Sequence, residues 1–125
     1  MIELQEIKRV GMQLPFPPSV NNYWRKSQRG MYLTKRALDF KLMTIEVVGH
    51  RTEPIFDDEE LRIEMYLCPP DARVRDLDNF AGKAIFDALM GAKVFRDDSQ
   101  IKHIESMFVE PNGAKGYCDI LLEEI

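Results

Sequence analysis

Two pairs of aspartates stand out among the residues whose types and spacing could support catalysis. Asp76 and Asp78 are separated by a single leucine, and Asp97 and Asp98 follow further along the chain. In an extended backbone, side chains two residues apart point to the same side, so the first pair would place two carboxylates together. Close carboxylates repel each other unless a cation lies between them. Oxygen-only ligands of this kind indicate Mg²⁺ or Mn²⁺, whereas zinc would favour His or thiolate ligands.

A third carboxylate would make this pair a site for phosphodiester hydrolysis. If the chain returns across the sheet after the next helix, Asp98 can come to lie beside Asp76 and Asp78. A metal ion held by three carboxylates can activate water and stabilise charge on a scissile phosphate. Arg73 and Arg75 next to the first pair suit a site that must hold a polyanion in spite of its own negative charge.

Each of these residues also has an ordinary structural interpretation. Asp78 could be the N-cap of a helix, with Asp76 complementing the positive end of its dipole. The later pair could consist of turn residues that satisfy nearby backbone donors. Lys83 and Asp87, four residues apart, could form only an exposed helix pair. An Asp-x-Asp motif alone does not decide between these readings.

Periodicity and turn signals predict the elements that must position these residues. In order, they are a strand near Glu6 to Leu14, a helix from the N-cap Thr34 to about Val48, a strand from Leu61 to Leu67, a helix from about Asp78 to Met90, and strands Gln100 to Val109 and Lys115 to Glu123 joined by a turn at Pro111 to Gly113. Residues 21–30 are predicted to be an irregular loop. This order predicts a single α+β domain over residues 1–125, a two-layer sandwich with helices on one face of a mixed sheet.

Composition excludes several classes of protein. No apolar run approaches the roughly 20 residues that a membrane span needs, and the first ten residues lack the pattern of a signal peptide. We therefore expect a cytoplasmic protein with no membrane partner. Cys68 and Cys118 form neither a disulfide framework nor a metal-binding motif, which indicates reduced core residues.

The distribution of charge is more informative than its sum. The formal net charge of -4 argues by itself against a nucleic-acid partner, because phosphate binding depends on Lys and Arg. However, residues 1–51 carry a net charge of +5 and the remaining residues carry -9. A basic surface could therefore bind a polyanion while the acids serve another purpose.

Taken together, the motifs resemble the RusA-type Holliday junction resolvases, a family of phage and prophage endodeoxyribonucleases. Three blocks carry the resemblance, in the right order: PPSVNNYWR at residues 17–25, RDLDNF at 75–80 with FDAL at 86–89, and VFRDDSQI at 94–101. The resemblance covers roughly residues 12–110, and the pairing of DLDN with DDSQ is its most specific part.

The resemblance implies a Mg²⁺-dependent homodimer, with Mn²⁺ as the alternative ion, that cuts four-way DNA junctions by paired nicks in recombination and repair. The family's catalytic and metal-binding acids correspond to Asp76, Asp78 and Asp98, and whether Asp97 also contributes stays open. A non-catalytic junction-binding or interaction protein of the same fold is the alternative.

The family's lysine corresponds to Lys83, with a difference in spacing. In the family pattern this lysine follows the second aspartate by four residues, and here it follows Asp78 by five. One residue turns a helical side chain by about 100°, so the match depends on how residues 79–82 enter the helix. Gly82 could accommodate an irregular first turn.

The predicted DNA contacts come from basic residues and from one amide near the acids. These candidates are Arg25, Lys26, Arg29, Arg73, Arg75 and Asn79, and Asn79 could also support the metal site. Tyr23 and Trp24 could stack on an unpaired base at the junction centre, or they could be core or dimer-interface aromatics.

Overall fold

Strands and helices alternate along the chain as the sequence predicts, with one additional hairpin. The computed structural model describes residues 7–111 and 115–125. Its elements in chain order are β1 (Arg9–Pro15), β2 (Trp24–Ser27), β3 (Gly30–Leu33), α1 (Lys35–Val48), β4 (Leu61–Cys68), α2 (Lys83–Gly91), β5 (Ile101–Phe108) and β6 (Tyr117–Glu124). Short 3₁₀ helices lie in the connections at Val20–Asn22, Leu77–Asn79 and Asp98–Gln100.

Four of these strands form one mixed sheet in the order β1-β6-β4-β5. β4 pairs in parallel with β5 and antiparallel with β6, which in turn pairs antiparallel with β1. The predicted α+β class and mixed sheet are therefore confirmed. In the part of the chain that the structure describes, β1 and β5 form the two edges of this sheet.

Alternation along β4 explains why the helices cover one face only. Leu61, Ile63 and Met65 are fully buried, whereas Arg62 between them is exposed. The buried face of β4 joins α1 and α2 in one hydrophobic core. The other face of the sheet carries more polar side chains, which gives the two-layer arrangement that the alternation predicts.

Helix α1 has the bounds that its end signals predict. The Thr34 hydroxyl accepts a hydrogen bond from the Ala37 backbone N–H at 3.2 Å, as an N-cap does. Gly49 follows the last turn with a φ of 92°, a left-handed conformation that glycine adopts without steric cost.

No helix of the described residues is long and apolar enough to cross a membrane.

The second helix starts later than predicted. A helix from Asp78 was expected, but α2 begins at Lys83, after the 3₁₀ helix Leu77–Asn79. Gly82, at the N-cap position, has φ 121° and ψ -95°, outside the region that residues with a Cβ adopt. The chain therefore changes direction between Phe80 and Lys83, and the helix forms only after that turn.

The two C-terminal strands do not form a hairpin. The sequence predicts that a turn at Pro111 to Gly113 joins two neighbouring strands, but β4 lies between β5 and β6. Both strands occur near their predicted positions, so the error concerns pairing alone. Residues 112 and 113 of the predicted turn lie outside the described residues, as does Glu6 at the predicted start of the first strand.

The predicted loop at residues 21–30 is partly regular. β2 and β3 form a separate two-stranded antiparallel sheet, with Trp24 opposite Leu33 and Ser27 opposite Gly30. Every residue of this hairpin is exposed except the half-buried Leu33. Sequence periodicity missed the hairpin because neither of its faces is buried.

Tyr23 fixes the base of this hairpin to the core. Its side chain is fully buried, and its hydroxyl donates a hydrogen bond of 2.7 Å to Asp87 of α2. The backbone N–H of Thr34 also donates to the Tyr23 carbonyl at 3.0 Å. Burial, followed by the hydrogen bond to Asp87, raises the pKa of Tyr23 well above its usual value. Tyr23 is therefore a core aromatic, one of its two predicted roles, whereas Trp24 packs edge-on against it and stays 41% exposed.

Both cysteines are buried and free, in agreement with their predicted place in the core. Burial raises the pKa of the Cys118 thiol to about 12, so this thiol stays protonated and unreactive at neutral pH.

Replacing Tyr23 by Phe should destabilise the fold without changing its shape. The variant loses a hydrogen bond to a carboxylate, which costs about 1.5–3 kcal/mol in the free energy of unfolding. Because the pKa of Tyr23 is raised in the folded state, its contribution is present below the pKa of an unfolded tyrosine and is lost at more alkaline pH. Denaturant unfolding at neutral and alkaline pH measures both effects.

Tyr32→Phe is the matched control, because Tyr32 is 51% exposed. Equal stability of the Tyr23→Phe variant and the wild type at neutral pH would contradict the anchoring role of the Tyr23 hydroxyl.

Candidate active site

The first aspartate pair lies just beyond the carboxyl end of β4. Asp76 has an extended backbone and precedes the 3₁₀ helix Leu77–Asn79, and its side chain makes no capping hydrogen bond. Asp78 lies within that 3₁₀ helix, so the prediction that both residues share an extended backbone is wrong. Both carboxylates are exposed, whereas Leu77 packs against the core as predicted.

Neither aspartate acts as the cap of α2, because that helix begins at Lys83 after the N-cap Gly82. The structural interpretation of Asp78 as the N-cap of the long helix is therefore wrong. The backbone carbonyl of Asp76 accepts a hydrogen bond of 3.1 Å from the Asn79 N–H, and its carboxylate makes no capping hydrogen bond.

A shallow depression surrounds Asp76. Its lining includes Ser19 and Asn21 from the connection after β1, and Asn79 and Phe80 from the 3₁₀ segment. The polar side chains of this lining offer hydroxyl, amide and carboxylate oxygens, which are the ligands that Mg²⁺ and Mn²⁺ prefer. The donor chemistry therefore fits a hard divalent cation. Asn79 lines the same depression as Asp76, and its supporting role stays a prediction.

Asp98 lies at the opposite end of the sheet. It begins the 3₁₀ helix that leads directly into Ile101, the first residue of β5. Phe80, two residues after Asp78, packs instead near Phe108, the last residue of β5, with 6.3 Å between ring centroids. The eight residues of β5 span about 23 Å at roughly 3.3 Å per residue.

One chain therefore does not bring the three predicted acids together. Among the residues that the structure describes, no three His, Cys, Asp or Glu side chains are grouped so that they could hold a metal ion. The chain returns along α2 to the start of β5, and this return carries Asp98 away from Asp76 and Asp78.

Asp97 has a structural role. Its carboxylate accepts a hydrogen bond of 3.0 Å from the Ser99 N–H, and the Gln100 side chain accepts one from the Asp97 N–H, which completes a capping box. Hydrogen bonding from Ser99 to the carboxylate lowers the pKa of Asp97. The turn interpretation is thus confirmed for Asp97, whereas the carboxylate of its neighbour Asp98 is exposed.

Lys83 lies at the same end of the sheet as the first aspartate pair. It is the first residue of α2, and its ammonium lies 3.1 Å from the Asp87 carboxylate, as the helix-pair interpretation predicts. Asp87 also accepts the hydrogen bond from Tyr23, and only 15% of its side chain is exposed. The Lys83 side chain is 48% exposed, so the ion pair leaves its ammonium open to solvent.

The two predicted DNA-binding arginines before Asp76 are partly occupied by Asp71. The Arg75 guanidinium lies 2.9 Å from the Asp71 carboxylate and stacks over the Phe16 ring at 5.6 Å, with only 12% of its side chain exposed. Arg73 also pairs with Asp71, at 3.3 Å, but is 78% exposed. The Arg73 backbone N–H and then Arg75 lower the pKa of Asp71.

Sequence reasoning did not single out Asp71. The available signal was its position directly after two prolines and two residues before an arginine, which is typical of an aspartate that closes a turn onto the backbone. Asp71 holds Arg75 inward, so Arg73 is the more accessible of the two arginines.

The other predicted DNA-binding residues lie on or beside the β2–β3 hairpin. Arg25, Lys26 and Arg29 are all exposed, and none forms an ion pair within the described residues. The base of the hairpin contacts the candidate site on two sides. Asn21 lines the depression around Asp76, and Tyr23 binds the carboxylate that pairs with Lys83.

Comparison with known proteins identifies the family of this chain. The family model described as Endodeoxyribonuclease RusA matches residues 15–123. A protein of Enterobacteria phage HK97 named crossover junction endodeoxyribonuclease is 34% identical over 91 residues, which cover 73% of this chain and 75% of the relative. Proteins of the same name from Escherichia coli K12 and Enterobacteria phage 82 are each 32% identical over 88 residues, covering 70% of this chain and 72% of the relative. The chain belongs to the RusA family of endodeoxyribonucleases.

Proposed function

We propose that this protein is a Mg²⁺-dependent endodeoxyribonuclease that resolves Holliday junctions by paired symmetric nicks. Its relatives are named crossover junction endodeoxyribonucleases. The observation that carries the proposal is the exposed Asp76 and Asp78 pair beside a depression with oxygen-bearing side chains, next to a hairpin with unpaired cations. We infer a cytoplasmic site of action, where phage and bacterial DNA recombine.

Each candidate residue has a distinct role in this proposal. Asp76 and Asp78 hold the divalent ion, and Asn79 orients the site. When bound, Mg²⁺ or alternatively Mn²⁺ would supply Lewis-acid chemistry, for activation of water and for stabilisation of charge on the phosphate. Lys83, held by Asp87, would stabilise with its ammonium the negative charge that develops on the scissile phosphate.

The basic residues position the DNA around this site. Arg25, Lys26 and Arg29 bind backbone phosphates from the hairpin, and Arg73 binds them from the segment before Asp76. Arg75 contributes mainly by holding this segment in place, because most of its side chain is buried against Phe16 and Asp71.

Asp76→Asn should abolish junction cleavage and leave junction binding largely intact. The change removes one charged ligand at a residue whose side chain supports no capping hydrogen bond, so the fold should persist. Cleavage of a synthetic four-way junction and of a linear duplex with Mg²⁺ measures the effect.

The control is Asp39→Asn, which changes an exposed acid of α1 and should cut like the wild type. Cleavage at the wild-type rate by Asp76→Asn would refute the assignment, and a wild type that binds junctions without cutting them would favour a non-catalytic binding protein.

We also propose that the active form is a homodimer in which two chains complete each site. A four-way junction with paired cuts has two-fold symmetry, which two related sites match. In one chain Asp98 lies at one end of β5, while the 3₁₀ helix that contains Asp78 contacts β5 near its other end. Both parts of the acidic set therefore flank the same strand.

The position of β5 supports this arrangement. β5 is an edge strand, and its exposed side chains include Ile104 and Met107. Two copies placed side by side along this edge in antiparallel orientation would bring Asp98 of the partner subunit next to Asp78. Such an arrangement would also cover an edge that otherwise presents unpaired backbone groups.

Mixing two inactive variants tests whether the site is shared. If Asp98 acts on the partner's site, dimers formed from Asp76→Asn and Asp98→Asn chains contain one intact site. About half of the dimers in a random mixture are of this kind, so nicking activity should return. A cruciform plasmid reports it, because one active site yields nicked circles and paired cutting yields linear DNA.

The matched control mixes Asp76→Asn with Asp78→Asn. Both changes affect the same part of the site, so no mixed dimer contains an intact one and no activity should return. Recovery by neither mixture would show that Asp98 is not supplied in trans.

Junction binding should be weak without divalent metal and tighten when metal is added. Unpaired carboxylates repel phosphates, and unit charges 4 Å apart in water interact by roughly 1 kcal/mol, so neutralising each should improve affinity about fivefold. Fluorescence anisotropy with Ca²⁺ or with EDTA measures this without relying on cleavage. The Asp76→Asn, Asp78→Asn double variant should respond much less to metal, because only Asp98 of the acidic set remains. Wild-type binding of equal strength with and without metal would contradict the proposed repulsion.

A further inference from the structure

The β2–β3 hairpin is an exposed arm on a fixed base. Two-stranded hairpins are marginally stable by themselves, so a hairpin that buries almost none of its own residues needs support from its ends. Here the Thr34 hydroxyl donates a hydrogen bond of 2.6 Å to the Asn22 carbonyl, and Tyr23 is bonded to Asp87 of α2. The arm therefore projects from a rigid attachment beside the candidate site.

Large apolar side chains are exposed on this arm. Trp24 is 41% exposed, Tyr32 51% and Met31 61%. Exposed apolar groups clustered on one element are typical of a surface that another molecule covers. Leu33 of the hairpin packs against the core, whereas Trp24, Met31 and Tyr32 are among the exposed large apolar side chains.

The charges around these groups indicate what covers them. The segment from residue 20 to residue 34 contains Arg25, Lys26 and Arg29 and no acidic residue. Across the hairpin, Arg25 is directly opposite Tyr32, and Lys26 is directly opposite Met31. On each face a cation is thus paired with an apolar group, which suits a polyanion that also presents flat apolar surfaces.

We propose that the β2–β3 hairpin reads the branch point of the junction: Tyr32 and Met31 pack on bases left unstacked at the centre, while Arg25 and Lys26 bind the phosphates beside them. This proposal rests on the function proposed above and adds the element that distinguishes a junction from a duplex. Continuous duplex DNA keeps its bases stacked, so it offers the hairpin phosphates alone. The cations then provide general affinity, and the apolar groups provide selectivity.

The position of the hairpin connects this contact to the candidate site. Ser19 and Asn21, which precede it, line the depression around Asp76. A base held by Tyr32 thus fixes where the backbone enters that depression. Cleavage should therefore occur at a set distance from the branch point.

Four-way junctions that carry the fluorescent base 2-aminopurine at the branch point test the proposal. All protein variants in this experiment also carry Asp76→Asn, so that they bind the junction without cutting it. Binding of the Asp76→Asn protein should change the 2-aminopurine fluorescence. Adding Tyr32→Ala should suppress this change and reduce the ratio of junction to duplex affinity about tenfold, while duplex affinity stays within about twofold. Tyr32→Phe keeps the ring and should behave like the parent. Arg29→Ala should weaken junction and duplex binding to a similar extent.

Thermal unfolding checks the fold of each variant. If the Tyr32→Ala variant is unfolded, Tyr32→Leu replaces it, because leucine keeps much of the side-chain volume without the aromatic ring. Unchanged selectivity and an unchanged fluorescence response in the Tyr32 variants would overturn the proposal, even if the wild type cuts junctions normally. A wild-type protein that neither prefers nor cuts junctions would instead overturn the proposed function itself.

Discussion

The parallel pairing of β4 with β5 is the constraint on which the placement of every candidate catalytic group depends. A parallel neighbour requires the chain to travel back to the end of the sheet where the first strand began. Here α2 makes that return, so residues that leave β4 and residues that enter β5 must lie at opposite ends. Asp78 belongs to the first group and Asp98 to the second. The separation is the length of a strand, and no rotation of side chains within one chain can close it.

The same return path explains the surroundings of Lys83. Gly82 turns the chain out of the 3₁₀ segment, and α2 then starts at the end of the sheet that holds Asp76. Tyr23 is buried against α2 and bonds to Asp87, one turn after Lys83. A single carboxylate therefore links the base of the hairpin to the lysine, and movement of one is coupled to the position of the other. The turn at Gly82 lies between Asp78 and Lys83, where the spacing differs by one residue from the family pattern.

Elements with strong local signals could be predicted from the sequence, whereas features set by distant partners could not. The cap at Thr34 and the alternation along β4 depend on neighbouring residues, and both were predicted correctly. The hairpin was missed because its side chains are exposed on both faces and show no period. The pattern of β5 is the same whether it pairs with β6 or with β4, so the parallel pairing could not be inferred from periodicity. For the same reason the sequence placed Asp98 in the right segment but could not say at which end of the sheet it lies.

Part of the acidic charge is neutralised by local ion pairs, which is one reason why the net charge of the chain is a poor guide to its partner. Asp57 is bonded to Arg96, Asp71 pairs with both Arg73 and Arg75, and Arg62 pairs with two glutamates. Within the described residues, the hairpin cations and the Asp76 and Asp78 carboxylates form no such pairs. Salt screens the electrostatic interaction of each of these charges beyond about 8 Å. DNA therefore responds to the local arrangement of charges and not to the net charge of the chain. In the proposed function, the unpaired hairpin cations would hold phosphates, and the unpaired Asp76 and Asp78 carboxylates would hold the cation that hydrolysis needs.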